Sequence, residues 1–196
     1  MKNKVEEPAL NYKFVPQEDY LESEREALEK HEYYQGEVFA MSGASAKHNR
    51  IFTNLFVDIG SKLKGKGCIP YSNDLRIHIP KNTLYTYPDI SIICGEMEFT
   101  DDKFDTAANP SVIIEILSNS TRNYDMGEKF TLYRDIDTLQ EYILIDSEKV
   151  YVEKHIRNAD NSWQLTDHRS IENSFIISTI NQHFLLKDIY EGISFE

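Results

Sequence analysis

Pro110-Ser-Val-Ile-Ile-Glu-Ile-Leu-Ser118 is the stretch from which the rest of the chain is read. Val112, Ile113, Ile114, Ile116 and Leu117 make a nearly continuous apolar run, rich in β-branched residues. Such a run marks a central strand covered on both faces. Glu115 sits in its middle. A carboxylate is costly to desolvate there unless a partner or a metal compensates it. Two readings stay open from this strand alone: a structural Glu paired with a nearby Lys or Arg, or a metal ligand at the edge of a sheet.

Downstream, Ser118-Asn-Ser-Thr121 offers helix N-caps, and the pattern predicts a helix over 124–136. Glu141-Tyr-Ile-Leu-Ile-Asp146 reads as a strand and Val150–Ile156 as its hairpin partner. Trp163–Leu165 adds a short edge strand, and Phe184-Leu-Leu with Ile189 reads as a loop and helical turn. Upstream, Tyr87–Cys94 is the preceding strand, and Cys68–Ile79 reads as one bent strand. A helix is predicted over 46–64, where Ile51, Leu55, Ile59 and Leu63 recur every four residues. Pro16–Tyr34 reads as a first helix, and Glu37–Met41 as a short strand after the Gln35-Gly36 turn.

This order gives an α/β architecture, a mixed sheet flanked by helices in a single domain over 14–196. Residues 1–13 read as a flexible polar segment. The chain of 196 residues is long enough for one full core. No apolar run is long enough to cross a bilayer and no signal-peptide core is present, so a cytoplasmic protein is expected. Cys68 and Cys94 stand far apart and form no CxxC pair, and reduced thiols are expected.

The formal charge is −12, from 21 basic and 33 acidic residues. That balance is not one of an obvious nucleic-acid binder, since phosphates are met by Lys and Arg. Contact with phosphate then needs a local basic patch or a divalent cation. The Lys62, Lys64 and Lys66 cluster reads as a solvated helix end.

Three residues fall on this scaffold in a suggestive order. Asp89 follows Pro88 at the head of a strand, Glu115 lies in the next strand, and Lys129 is one helical turn beyond Asp125. If the two strands pair, Asp89 and Glu115 can face each other and repel unless a cation lies between them. Their hard oxygens suit Mg²⁺ or Mn²⁺. Lys129 would then orient water or steady charge on phosphate. The plainer reading of Lys129 is a surface ion pair, and that of His48, in the first turn of the 46–64 helix, is a helix-start polar contact.

The stretches 87–95, 110–121, 124–133 and 139–146, with His31–Ser45 and His48-Asn-Arg-Ile51, resemble the Uma-type restriction endonuclease family. That family belongs to the PD-(D/E)XK nuclease superfamily, and the resemblance spans roughly 14–190. It implies a restriction-endonuclease-like fold and a Mg²⁺- or Mn²⁺-dependent endonuclease acting on DNA, commonly as a homodimer. Asp89 matches the Asp of the PD element and Glu115 the second acidic residue, the pair that would hold metal. The usual strand lysine is replaced by Leu117, and Lys129 on the following helix takes its place as third catalytic residue. Glu32, His48, Asp74 and Asp125 match recurring polar positions and are expected in a supporting shell, with helix caps and ion pairs as the plainer alternative. A catalytically silent binding or assembly module on the same fold is the second functional reading.

Overall fold

A computed structural model describes residues 14–195. The segment expected to be flexible, 1–13, lies outside the described residues.

The central strand is β8 (Val112–Leu117), and all six of its residues are buried. It sits inside a six-stranded sheet with the order β11-β10-β9-β8-β6-β3. Here β3 is Cys68–Ser72, β6 is Ile90–Cys94, β9 is Glu141–Asp146, β10 is Val152–Arg157 and β11 is Trp163–His168. The β8–β9 pair is parallel and the other pairs are antiparallel. Two-faced burial of β8 follows from what covers it. Val112, Ile114 and Ile116 pack with Ile51, Leu55, Ile59 and Leu63 of helix α2 (Ala46–Leu63). Ile113 and Leu117 face Tyr133, Leu139 and Tyr142 on the other side.

Helix α2 follows the expected four-residue stripe, and its Ser45 N-cap accepts the His48 N–H at 3.2 Å. The helix expected over 124–136 is a run over 122–133. It consists of α3 (Arg122–Tyr124), a π-helical turn over Asp125–Lys129, and α4 (Phe130–Tyr133).

A second sheet, ordered β2-β1-β5-β4-β7, closes this side. Its strands are β1 (His31–Tyr34), β2 (Glu37–Ala40), β4 (Arg76–Ile79), β5 (Leu84–Thr86) and β7 (Thr106–Ala107). Two expectations change here. The first helix, α1, covers only Gln17–Glu26, and the rest of its predicted span becomes β1. Leu28, within the span read as helix, is fully exposed, whereas Tyr33 is buried with Tyr20 and Tyr85. The single bent strand over 68–79 is two strands, β3 and β4, in different sheets. The 73–75 turn between them moves the chain from one sheet to the other.

At the C-terminal end, β12 (Ser174–Ile177) and β13 (Gln182–Leu185) form a hairpin. With α5 (Leu186–Ile189) it completes the α2-side core. Cys68 and Cys94 are register partners on β3 and β6 and form a disulfide, against the expectation of free thiols. Their separation in sequence hid a direct cross-strand pair. No helix among the described residues is long and apolar enough to cross a membrane.

Candidate active site

The β6–β8 register pairs Ile90 with Ile114, which sets Asp89 opposite Glu115 at the strand end. The two residues interlock. The Asp89 N–H donates to Glu115 Oε2 at 3.1 Å, and the Ile116 N–H donates to Asp89 Oδ2 at 2.8 Å. His48, projecting from the first turn of α2, lies 3.1 Å from the same Oδ2 through Nε2. Its Nδ1 is buried without a hydrogen-bond partner among the described residues.

Lys129 comes in from the π turn. Its Nζ is 3.0 Å from Glu115 Oε1, 3.0 Å from Glu32 Oε1 on β1, and 3.7 Å from Asp125 Oδ1. Lys129, Glu115 and Asp125 are about 95% buried, so the reading of Lys129 as a surface ion pair does not describe it. A single-turn π bulge inside an α-helix is a feature that recurs at functional sites.

Burial acts first on Glu115, Asp125, Lys129 and His48. It raises the Glu115 carboxyl; the Lys129 ammonium opposes that rise, while Asp125 and Asp89 add to it, bringing the group to about 8. Burial likewise raises Asp125, against the pull of Lys129. For Lys129 burial works against the charge, yet Glu115, Tyr133, Glu32 and Asp125 outweigh it and hold the ammonium well above its ordinary value. The His48 imidazole is also lifted, because the hydrogen bond and charge of Asp89 exceed the cost of burial.

Asp89, Glu115, His48, Asp125 and Lys129 line a cleft of about 310 Å³, together with Ser118, Thr121 and Asn49. Asp74 is not brought into it. The turn between β3 and β4 swings its side chain into solvent, 81% exposed, where it pairs with Lys30. Its neighbour Asn73 lines the cleft instead. Tyr133 belongs to the site although no reading of the sequence singled it out: its hydroxyl donates to Glu115 Oε1 at 2.8 Å. The signal was its spacing, since Asp125, Lys129 and Tyr133 recur every four residues. Tyr142 braces the π turn from β9, donating to the Asp125 carbonyl at 2.9 Å, and Thr86 donates to Glu32.

Among the described residues no group of three or more His, Cys, Asp and Glu is arranged as a metal cage. Asp89 and Glu115 are the two carboxylates that could hold a divalent cation, with water or substrate oxygens needed to complete its shell. The charges agree. Four carboxylates (Glu32, Asp89, Glu115 and Asp125) gather around only two groups able to carry positive charge, Lys129 and His48.

Comparison with known proteins places this chain in a family. Residues 17–183 match the Uma2 model, described as "Putative restriction endonuclease". "Uncharacterized protein sll1609" of Synechocystis sp. is 38% identical over 155 residues, covering 79% of this chain and 88% of that protein. "Uncharacterized protein slr1290" of the same organism is 32% identical over 188 residues, covering 96% and 97%. Among solved structures, a "putative nuclease belonging to DUF820" from Anabaena variabilis superposes with a TM-score of 0.71 at 18% identity, over 90% of this chain and 97% of that one. That likeness carries the fold, and the family match and the Synechocystis relatives carry the membership: the chain belongs to the Uma2 family.

Proposed function

We propose that this chain is a metal-dependent endonuclease that hydrolyses DNA phosphodiester bonds. The observation that carries the reading is the buried Lys129 ammonium, 3.0 Å from Glu115, beside the interlocked Asp89. A structural ion pair needs one carboxylate, and this lysine meets three. The description of the family as a restriction endonuclease points the same way.

In this reading Asp89 and Glu115 hold Mg²⁺ or Mn²⁺. The cation supplies charge for the phosphate and a more acidic water. Lys129 donates toward the phosphate oxygens, where negative charge grows in the transition state. His48 and the Ile116 N–H fix the Asp89 carboxylate, and Tyr133 fixes Glu115. The water oxygen bonds to phosphorus as the phosphorus–oxygen ester bond breaks, and the leaving oxygen takes a proton. A homodimer would supply the two such sites that cutting both strands of DNA calls for.

A second reading, a catalytically silent binding module, draws on one observation. Both Glu115 oxygens already have partners: Lys129 and Tyr133 on Oε1, and the Asp89 N–H on Oε2. Incubating supercoiled plasmid, single-stranded DNA, RNA and bis(p-nitrophenyl) phosphate with the protein, with and without Mn²⁺, separates the two. Mn²⁺-dependent cleavage of either DNA supports the nuclease. No hydrolysis of any of the four supports the silent module.

A further inference from the structure

A second cavity, of about 880 Å³, opens on the other side of Glu32. Its walls are Tyr34 and Phe39 of the β1–β2 hairpin facing Tyr124, Gly127 and Leu132 of the 122–133 helical run, with Glu32 and Glu128 contributing carboxylates. It adjoins the candidate active site through contacts of Lys129, which lines the cleft, with residues that line the cavity. Glu32 lies 3.0 Å from Lys129 Nζ, and that same Nζ is 5.8 Å from the centre of the Tyr124 ring. One helical run thus turns Thr121, Asp125 and Lys129 to the acidic cleft and Tyr124, Gly127 and Glu128 to the aromatic cavity.

Its chemistry selects what it takes. The lining holds three aromatic rings and no Lys or Arg. Glu32 and Glu128 repel a backbone phosphate, so the sugar-phosphate chain does not enter. A nucleobase has a flat π-face for the rings and N–H groups for the carboxylates to accept. Base stacking on aromatic side chains is also how a protein binds single strands without relying on base sequence. This protein carries a net charge of −12, so the phosphates of either form gain little from it, and base stacking is left as the contact that separates a single strand from a duplex. Phe39, 46% exposed on the edge strand β2, stands ready at the mouth.

We infer that this cavity binds an unpaired base of the DNA strand whose phosphodiester occupies the adjacent cleft, so that the substrate is single-stranded or locally opened DNA rather than intact duplex. The inference rests on the proposed nuclease site. Paired bases are stacked inside a duplex and reach such a cavity only by leaving the stack.

The test is binding in the presence of a divalent cation. Fluorescence anisotropy in Ca²⁺ would compare a labelled mixed-sequence single-stranded oligodeoxynucleotide with its blunt duplex. The wild type should bind the single strand at least tenfold more tightly. Phe39→Ala removes an exposed ring. Gly127→Leu adds a side chain where a Cβ meets nothing within 4 Å. Each should weaken single-strand binding by roughly tenfold, with a melting temperature near that of the wild type for Phe39→Ala. Equal affinity for both forms, or variants that bind the single strand as the wild type does, would overturn the inference. So would a Phe39→Ala variant that turns a dimer into a monomer without altering DNA binding, because the cavity would then be an interface between copies. Failure of the nuclease reading is distinguishable: it shows as no Mn²⁺-dependent hydrolysis by the wild type, whereas failure here leaves hydrolysis intact.

Discussion

Lys129 Nζ stands 3.0 Å from Glu115 Oε1, although the two belong to a helical turn and a strand that meet only in the folded chain. The contact takes the place of an ion pair within one strand, because the position two residues after Glu115 is Leu117, wholly buried against Tyr133 and Leu139. Above about pH 8, removing the ammonium leaves the Glu115 carboxylate, with Glu32 beside it, buried without its cation. Such a loss costs about 3–5 kcal/mol. Lys129→Gln should therefore show a clearly lowered denaturant midpoint at that pH. An unchanged midpoint there would mean that the carboxylates do not depend on this ammonium.

Metal should act on the same cluster. Mn²⁺ at about a hundred times its dissociation constant should stabilise the fold by about 2.7 kcal/mol. Asp89→Asn should lose most of that gain in a thermal melt. Equal gains in both proteins would place the cation elsewhere on this acidic surface.

Protonation should oppose metal. The Glu115 carboxyl is raised from 4.5 to about 8, chiefly by burial. The folded state therefore keeps a proton that the unfolded chain releases above 4.5. This contribution to stability is complete below that pH and is lost as pH rises through about 8. Asp125 and His48, also raised, act in the same direction. Metal-free protein should lose stability across that window, Glu115→Gln should lose less, and the gain from Mn²⁺ should grow with pH. A metal-free melting temperature that rises over the window would contradict the shift.

The elements that were legible in the sequence carry a local signal. The α2 stripe, its Ser45 cap and the apolar run of β8 are each written in contiguous residues. The Asp89–Glu115 pairing followed because two strong strands flank one loop. What was not legible depends on distant partners. Strand β1 is four residues long and is held by pairing with β2 and β5, so the weak helical pattern across 16–34 outweighed it. The same distance concealed that Glu32 reaches Lys129, that Tyr133 reaches Glu115, and that Asp74 points away.

The Cys68–Cys94 bond spans a separation of 26 residues between paired strands. Closing a loop of that size contributes roughly 3 kcal/mol. Dithiothreitol should lower the melting temperature, and protein denatured without reductant should expose no titratable thiol. Two thiols found under those conditions would show that the bond does not form in the purified protein.

The most direct measurement for the central claim is cleavage of supercoiled plasmid and of single-stranded DNA in Mg²⁺ or Mn²⁺ by the wild type and by Lys129→Ala, with melting temperatures recorded alongside. The site described above predicts metal-dependent cleavage that falls by roughly two to three orders of magnitude in the variant, as when one transition-state donor is removed, while Mn²⁺ still stabilises the variant. Cleavage by Lys129→Ala at the wild-type rate would show that the lysine is structural, and His48, with its unpartnered Nδ1 in the same cleft, would be the next group to test.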